Sequence, residues 1–282
     1  MSKSVIIKKA SGEKEAFDPD KLRNSLKRAG TGEDTAEEIV SSILPTLSEG
    51  MTTKEIYRKA FGMLRKRKSS DAARYSLKNA IMELGPTGYP FEQFVAQVLV
   101  HHGFEVKVGE VLQGKCVTHE VDIVADFENT QYLVECKFYN SPGKYCNVRV
   151  PLYVRSRVDD IIQFREKTPK HKNTRFFGWV VTNTRFTEDA VNYGRCAGLH
   201  MLSWSMPKNK ALKDMVEEAR VFPITVLTNL TKKQKEFLLS KDIVLCRQLK
   251  EKPGVLNETG ITSATRKKIL TELDELIANS KD

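Results

Sequence analysis

No stretch of this 282-residue sequence approaches the roughly 18 consecutive apolar residues that a membrane-spanning helix needs, and its opening, MSKSVIIKKASGEKE, is charged where a secretory leader would be apolar. We therefore expect a soluble, cytoplasmic protein with no membrane partner. Cysteine is scarce: five residues, at positions 116, 136, 146, 196 and 246, with no Cys-x-x-Cys pair. An odd, unpaired set excludes a disulfide framework and a four-cysteine zinc site, and it suits a reducing compartment. Ten prolines and sixteen glycines are too few for collagen or a solenoid of glycine turns. Neither a Walker loop nor a G-x-G-x-x-G stretch is present, so no standard nucleotide-binding motif is found. What remains is a chain 40% hydrophobic and 29% charged, rich enough to bury cores and long enough for two or three domains of about 100 to 150 residues.

The net charge is +10, which favours a polyanionic partner, because neutralised phosphates release condensed counterions. Residues 1–85 hold 17 basic and 12 acidic side chains, residues 86–220 hold 18 and 16, and residues 221–282 hold 11 and 8. The middle segment, nearly balanced within a basic protein, is where carboxylates with a chemical role are to be sought.

Punctuation and periodicity divide the chain at the same places. An alternating stretch, Val5 to Lys9, a turn at Ser11-Gly12, and Asp18-Pro19 as cap and first residue of a helix bearing Leu22, Leu26 and Ala29 predict a hairpin followed by helices at 35–47, 53–67 and 70–84. Gly85-Pro86-Thr87-Gly88 reads as a boundary. Beyond it come an apolar helix from Pro90, strands at 104–108, 120–126 and 131–138, a polar-basic loop at 140–149, a helix near 154–166, a strand at 175–182, a helix near 187–197 and a strand at 199–204. Strand, helix, strand implies a sheet with crossover connections. Helices at 231–240, 243–249 and 262–279 complete a small all-α unit.

The chemistry concentrates in two strands. A period of two puts Glu135 and Lys137 on one face and Val134, Cys136 and Phe138 on the other. A hairpin turning between Glu128 and Asn129 sets Asp122 opposite Glu135. Facing carboxylates repel unless a cation lies between them, and hard oxygen ligands suit Mg²⁺ or Mn²⁺. Lys137 beside them would orient an attacking water or balance phosphate charge. Cys116 and His119 form a Cys-x-x-His without a partner pair, which falls short of a zinc site. Lys144, Arg149, Arg155 and Arg157 interleave with Tyr145 and Tyr153, a composition open to two readings: phosphate contacts with base stacking, or a solvated loop.

Across residues 88–205 the order of these pieces resembles the PD-(D/E)xK nucleases, in their Mrr-type restriction endonuclease branch. Gly88-Tyr89-Pro90-Phe91-Glu92 is similar to the family's glutamate helix, Val121-Asp122-Ile123 to its aspartate strand, and Val134-Glu135-Cys136-Lys137 to its E-x-K strand. The resemblance implies Glu92, Asp122, Glu135 and Lys137 as catalytic residues, with Asp122 and Glu135 as metal ligands. Residues 3–85, with Val5-Ile6-Ile7-Lys8-Lys9, Gly12 and Phe17-Asp18-Pro19-Asp20-Lys21-Leu22, resemble the ATP-cone, which implies ATP or dATP as a regulatory ligand near Lys8, Lys9 and Lys21. Gly260 before the basic Arg266-Lys267-Lys268 is similar to helix-hairpin-helix DNA modules, and equally to a short packing bundle.

The expectation is thus an α/β multidomain protein: an α+β ATP-cone at 1–86, a restriction-endonuclease-like α/β core with a mixed sheet at 87–220, and a small all-α domain at 221–282. Its expected function is metal-dependent DNA cleavage under nucleotide control, with DNA and nucleotide as partners and a homo-oligomer left open. Two other readings stay open, a non-cleaving DNA-binding protein and a nucleotide-responsive regulator of a protein partner.

Overall fold

The computed structural model describes residues 5–9, 12–141 and 143–278. Ser11 of the expected turn, Pro142 of the expected loop and Asn279 of the expected last helix lie outside the described residues. The chain divides into two compact units, one made of residues 1–80, 224–238 and 249–282, the other of 81–223 and 239–248. Both are therefore discontinuous in sequence. Among the described residues, no helix is long and apolar enough to cross a membrane.

The first unit opens with an antiparallel hairpin, β1 (Ile6–Lys8) and β2 (Lys14–Ala16), followed by α1 (Pro19–Arg28), α2 (Glu33–Ile43), α3 (Thr53–Arg67), α4 (Ser69–Tyr75) and α5 (Leu77–Met82), which runs on to the second unit. Local signals set these starts. The Asp18 carboxylate accepts from the backbone N–H groups of Asp20 and Lys21, a cap of about 1 kcal/mol, and Thr52 with Glu55 forms a capping box at α3. Leu22, Leu26, Ile39, Val40, Ile56 and Leu64 form the core. The single helix expected over 70–84 is two: the Ser76 hydroxyl donates to the Ala73 carbonyl at 2.8 Å and closes α4, while apolar periodicity carries on through α5.

In the second unit α6 (Tyr89–His101) precedes β3 (Glu105–Gln113), β4 (Thr118–Phe127) and β5 (Thr130–Lys137); then follow β6 (Tyr145–Cys146), α7 (Arg149–Arg165), β7 (Arg175–Thr182), β8 (Arg185–Phe186), α8 (Glu188–Cys196), β9 (His200–Leu202) and α9 (Leu212–Ala219). The main sheet runs β3-β4-β5-β7-β9, antiparallel through β5 and parallel from β5 to β9, so it is mixed as expected. Val150, Val154, Val158 and Ile161 of α7 pack in one cluster with Leu133, Val180 and Leu199 of the sheet region, while α6 lies against β3, β4 and β5. The helix expected from Val154 begins at Arg149. Pro151 sits in its first turn, where a missing N–H costs nothing, so Arg149 and Tyr153 are helical along with Arg155 and Arg157.

The chain closes with α10 (Lys232–Ser240), α11 (Cys246–Glu251) and α12 (Ser263–Ile277). Within the first unit, Thr225 donates to the Ala80 carbonyl at 2.6 Å, Arg74 of α4 to the Glu275 carbonyl of α12 at 3.4 Å, and the buried Glu272 accepts from Thr228 and Asn229. Gly260 takes a left-handed φ of 68° before Thr262 caps α12, and Lys267 and Lys268 are exposed on that helix.

Candidate active site

The β4–β5 hairpin has the register expected of it. Ile123 pairs with Val134 and Phe127 with Thr130, leaving the two-residue turn Glu128-Asn129, where Glu128 adopts a φ of 51°. Asp122 lies one step beyond the last paired residues, and its Oδ2 accepts the Cys136 backbone N–H at 2.7 Å. That bond ties the aspartate strand to the E-x-K strand at the point where ladder pairing ends. On the β3 side, pairing also skips this step, and Gly109 there has a φ of 67°. A left-handed backbone at that position favours glycine.

Glu135 and Leu133 share the face of β5 turned to α7. Both oxygens of Glu135 are engaged by that helix: Tyr153 Oη donates to Oε1 at 2.5 Å and Arg157 Nη1 to Oε2 at 2.5 Å, with the Arg157 guanidinium over the Tyr153 ring at 5.4 Å. Lys137, two residues on, is half-buried and makes no ion pair among the described residues. Its carbonyl accepts from Thr182, which holds the end of β5 to β7.

Glu92 enters from the first turn of α6. Burial pushes its carboxyl up to about 7, and the charges of Asp122, Glu135 and Glu120 push in the same direction. Burial likewise raises Asp122 to about 6, with Glu135 adding to the shift while the Cys136 N–H and Arg157 oppose it. The helix α6 and the β4–β5 hairpin thus bring Glu92, Asp122 and Glu135 within electrostatic reach of one another, with Lys137 on the same face as Glu135. Sequence reasoning did not single out Glu120, although it stands two residues from Asp122 in the same strand. Nor did it assign Tyr153 and Arg157 to Glu135, because nothing local links α7 to β5.

Hard carboxylates whose charges disfavour one another are the donor set that a divalent ion relieves, so these residues fit Mg²⁺ or Mn²⁺ in their chemistry. Among the described residues no three His, Cys, Asp or Glu side chains are gathered tightly enough to hold a metal by themselves. Mg²⁺ ordinarily keeps several waters, which matches a site offering few protein ligands. His119 is elsewhere engaged: its Nε2 meets Asp160 Oδ2 at 2.8 Å, and Asp160, held down to about 2 chiefly by that bond, also accepts from the N–H groups of Cys116 and Val117. The Cys-x-x-His is therefore part of a pinned β3–β4 turn. Gln163 accepts from Lys115.

In the first unit, Lys9 Nζ meets Glu15 at 2.9 Å and Glu13 at 3.1 Å, and Lys21 Nζ meets the same Glu15 at 3.3 Å. Lys8, the next residue along the strand from Lys9, is exposed. The structure thus links Lys9 and Lys21 through one carboxylate and leaves Lys8 outside that network.

Residues 85–204 match the family model described as restriction endonuclease, and residues 5–78 match the ATP cone domain. The chain therefore joins a restriction-endonuclease-like domain to an ATP-cone, the class that the mixed sheet and the carboxylate cluster define. Residues 222–277 match a third model, AF1548-like, C-terminal. An uncharacterised protein of Archaeoglobus fulgidus is 32% identical over 187 residues, covering 65% of this chain and 99% of its own length. This chain belongs to the same family, that of the AF1548-like proteins. The crystal structure of the protein of unknown function AF1548 is 30% identical, covers 68% of this chain and 98% of its own, and superposes with a TM-score of 0.53. The MspJI restriction endonuclease in complex with a 27-mer oligonucleotide is 12% identical with a TM-score of 0.29, a likeness too distant to bear on function.

Proposed function

We propose that this protein is a metal-dependent deoxyribonuclease whose cutting is modulated by ATP or dATP. The observation that carries the reading is the convergence of Glu92, Asp122 and Glu135 from α6, β4 and β5, with the ammonium of Lys137 on the Glu135 face. Asp122 and Glu135 would hold Mg²⁺ or Mn²⁺, which when bound supplies Lewis acidity at the scissile phosphate. Lys137 orients the attacking water and offsets the charge that grows on the phosphorane. Glu92, on the edge of neutrality, accepts a hydrogen bond from that water. The exposed Lys267 and Lys268 of α12, with Arg266, supply contacts to the DNA backbone. Lys8, Lys9 and Lys21 receive the nucleotide phosphates, a role that requires Lys9 and Lys21 to exchange Glu15 for the ligand. The domain limits we propose are 1–86 for the nucleotide module, 87–220 for the nuclease and 221–282 for the helical module.

The deciding experiment is plasmid cleavage by the full-length protein with Mg²⁺ or Mn²⁺ and with chelator, beside Asp122→Asn and Lys137→Ala. Metal-dependent nicking or linearisation lost in both variants supports the proposal. Salt-sensitive DNA binding with no cleavage at any metal concentration replaces it with a non-cleaving DNA-binding protein.

A further inference from the structure

We propose that Arg157 is a built-in counter-cation for Glu135, one that leaves the carboxylate when Glu135 takes a divalent ion and then meets a DNA phosphate. The inference rests on the nuclease reading above and adds to it a residue and a coupling.

The argument begins with charge. Glu92, Asp122 and Glu135 form a cluster of carboxylates in which each charge disfavours its neighbours. Of the three, Glu135 is the one with a guanidinium on it: Arg157 Nη1 stands 2.5 Å from Oε2, and the two side chains are 29% and 14% exposed. A half-buried ion pair of this kind is far less screened by water than a surface pair, so the positive charge of Arg157 opposes a second cation arriving at the same carboxylate.

The geometry separates orientation from neutralisation. Tyr153 grips the other oxygen, Oε1, at 2.5 Å with a neutral hydroxyl and can hold the carboxylate in place by itself. Arg157 is the partner that brings charge. Its guanidinium lies over the Tyr153 ring at 5.4 Å, a contact that a planar cation can keep while its N–H groups change acceptor. Tyr153 and Arg157 are one turn apart on α7, whose apolar positions Val150, Val154, Val158 and Ile161 are buried, so the helix stays fixed while the arginine head moves. Guanidinium groups match phosphate as well as carboxylate, and a backbone phosphate gives the released head a new partner. Tyr153 is thus a positioning residue. Arg157 couples metal occupancy to DNA contact.

The test measures Mn²⁺ binding to the full-length, DNA-free protein through loss of the free-ion electron paramagnetic resonance signal. Four proteins are compared: the unaltered chain, Arg157→Gln, Arg157→Lys and Tyr153→Phe. With the counter-cation gone, Arg157→Gln should bind Mn²⁺ more tightly, on the order of tenfold. Arg157→Lys, which keeps the charge, should bind like the unaltered protein, and Tyr153→Phe should bind no more tightly than it does. At saturating Mn²⁺, cleavage by Arg157→Gln should show a raised KM for DNA, reflecting the lost phosphate contact. Equal or weaker Mn²⁺ binding by Arg157→Gln, with far-ultraviolet circular dichroism unchanged, would overturn the counter-cation role and leave the nuclease reading standing. If Arg157→Gln does not fold, Arg157→Lys decides: Mn²⁺ binding changed severalfold from the unaltered protein overturns the role, because its charge is retained. Absence of Mn²⁺ binding in every protein, together with absence of metal-dependent cleavage, removes both proposals.

Discussion

Replacing Glu92 with glutamine keeps the size of the side chain and removes one of three clustered charges. In the folded chain the Glu92 carboxyl rises from the ordinary 4.5 to about 7, chiefly through burial, and Asp122 rises from 3.8 to about 6. Between roughly pH 4 and 7 the folded protein therefore holds protons that the unfolded chain has released. The stabilisation from this source is complete below the ordinary carboxyl range and is lost as pH climbs through 6 and 7. For Glu92 the full shift corresponds to about 3 kcal/mol, which solvent access to a half-buried group reduces to about 1 to 2 kcal/mol. Part of it is repulsion shared with Asp122, so the two residues do not add. Without metal, Glu92→Gln should match the unaltered protein near pH 4 and exceed it by about 1 to 2 kcal/mol near pH 8. Both tryptophans, Trp179 and Trp204, belong to the unit that carries the site, so urea melts followed by tryptophan fluorescence report that unit's unfolding. Equal or lower stability of the variant near pH 8 would refute the reasoning. So would an equal gain at both pH values, which would indicate packing and not charge.

Three further outcomes are expected. Asp122→Asn, which retains an acceptor for the Cys136 N–H, and Lys137→Ala should each lower cleavage at least about a hundredfold while leaving DNA binding nearly intact; full cleavage by either removes that residue from the site. Lys267→Glu combined with Lys268→Glu should weaken DNA binding and flatten its salt dependence by about two slope units, and an unchanged slope would make α12 a packing element alone. Glu15→Gln, which frees Lys9 and Lys21 from their shared carboxylate, should tighten binding of ATP and of a non-hydrolysable analogue alike in calorimetry; tighter binding of ATP only would point to hydrolysis, and unchanged affinity would remove these lysines from the nucleotide site.

Much of this architecture could be read in the sequence because the local signals agree with the tertiary ones. Asp18-Pro19 and Thr52 mark helix starts that the structure keeps, and a two-residue turn at Glu128-Asn129 was enough to fix the β4–β5 register. The site was partly legible for the same reason: strand parity alone placed Glu135 and Lys137 on one face. What escaped was information that arrives from across the sheet. Pro151 lies in the first turn of α7, where proline is tolerated, and the helix starts at Arg149 and not near Val154. The hold of Tyr153 and Arg157 on Glu135, 18 and 22 positions away, had no local trace. Ser76 breaks a helix whose hydrophobic pattern continues unbroken, so periodicity had nothing to report there.

The discontinuity of the first unit bears on the order in which the chain acquires structure during synthesis. The cone's own core, Leu22, Ile39, Ile56 and Leu64 among others, lies wholly within the early residues and can assemble as they emerge. Its anchoring cannot, because Ala80 and Arg74 find their partners at Thr225 and Glu275 only after residues 81–223 of the second unit have been made. Domains ordinarily complete themselves from the N-terminus onward. Here the first unit begun is the last finished, and the second unit also waits, for residues 239–248, which follow the first unit's residues 224–238. In that order the restriction-endonuclease-like unit is complete once residue 248 has been made, and the cone unit is complete only when residues 249–278 have joined it.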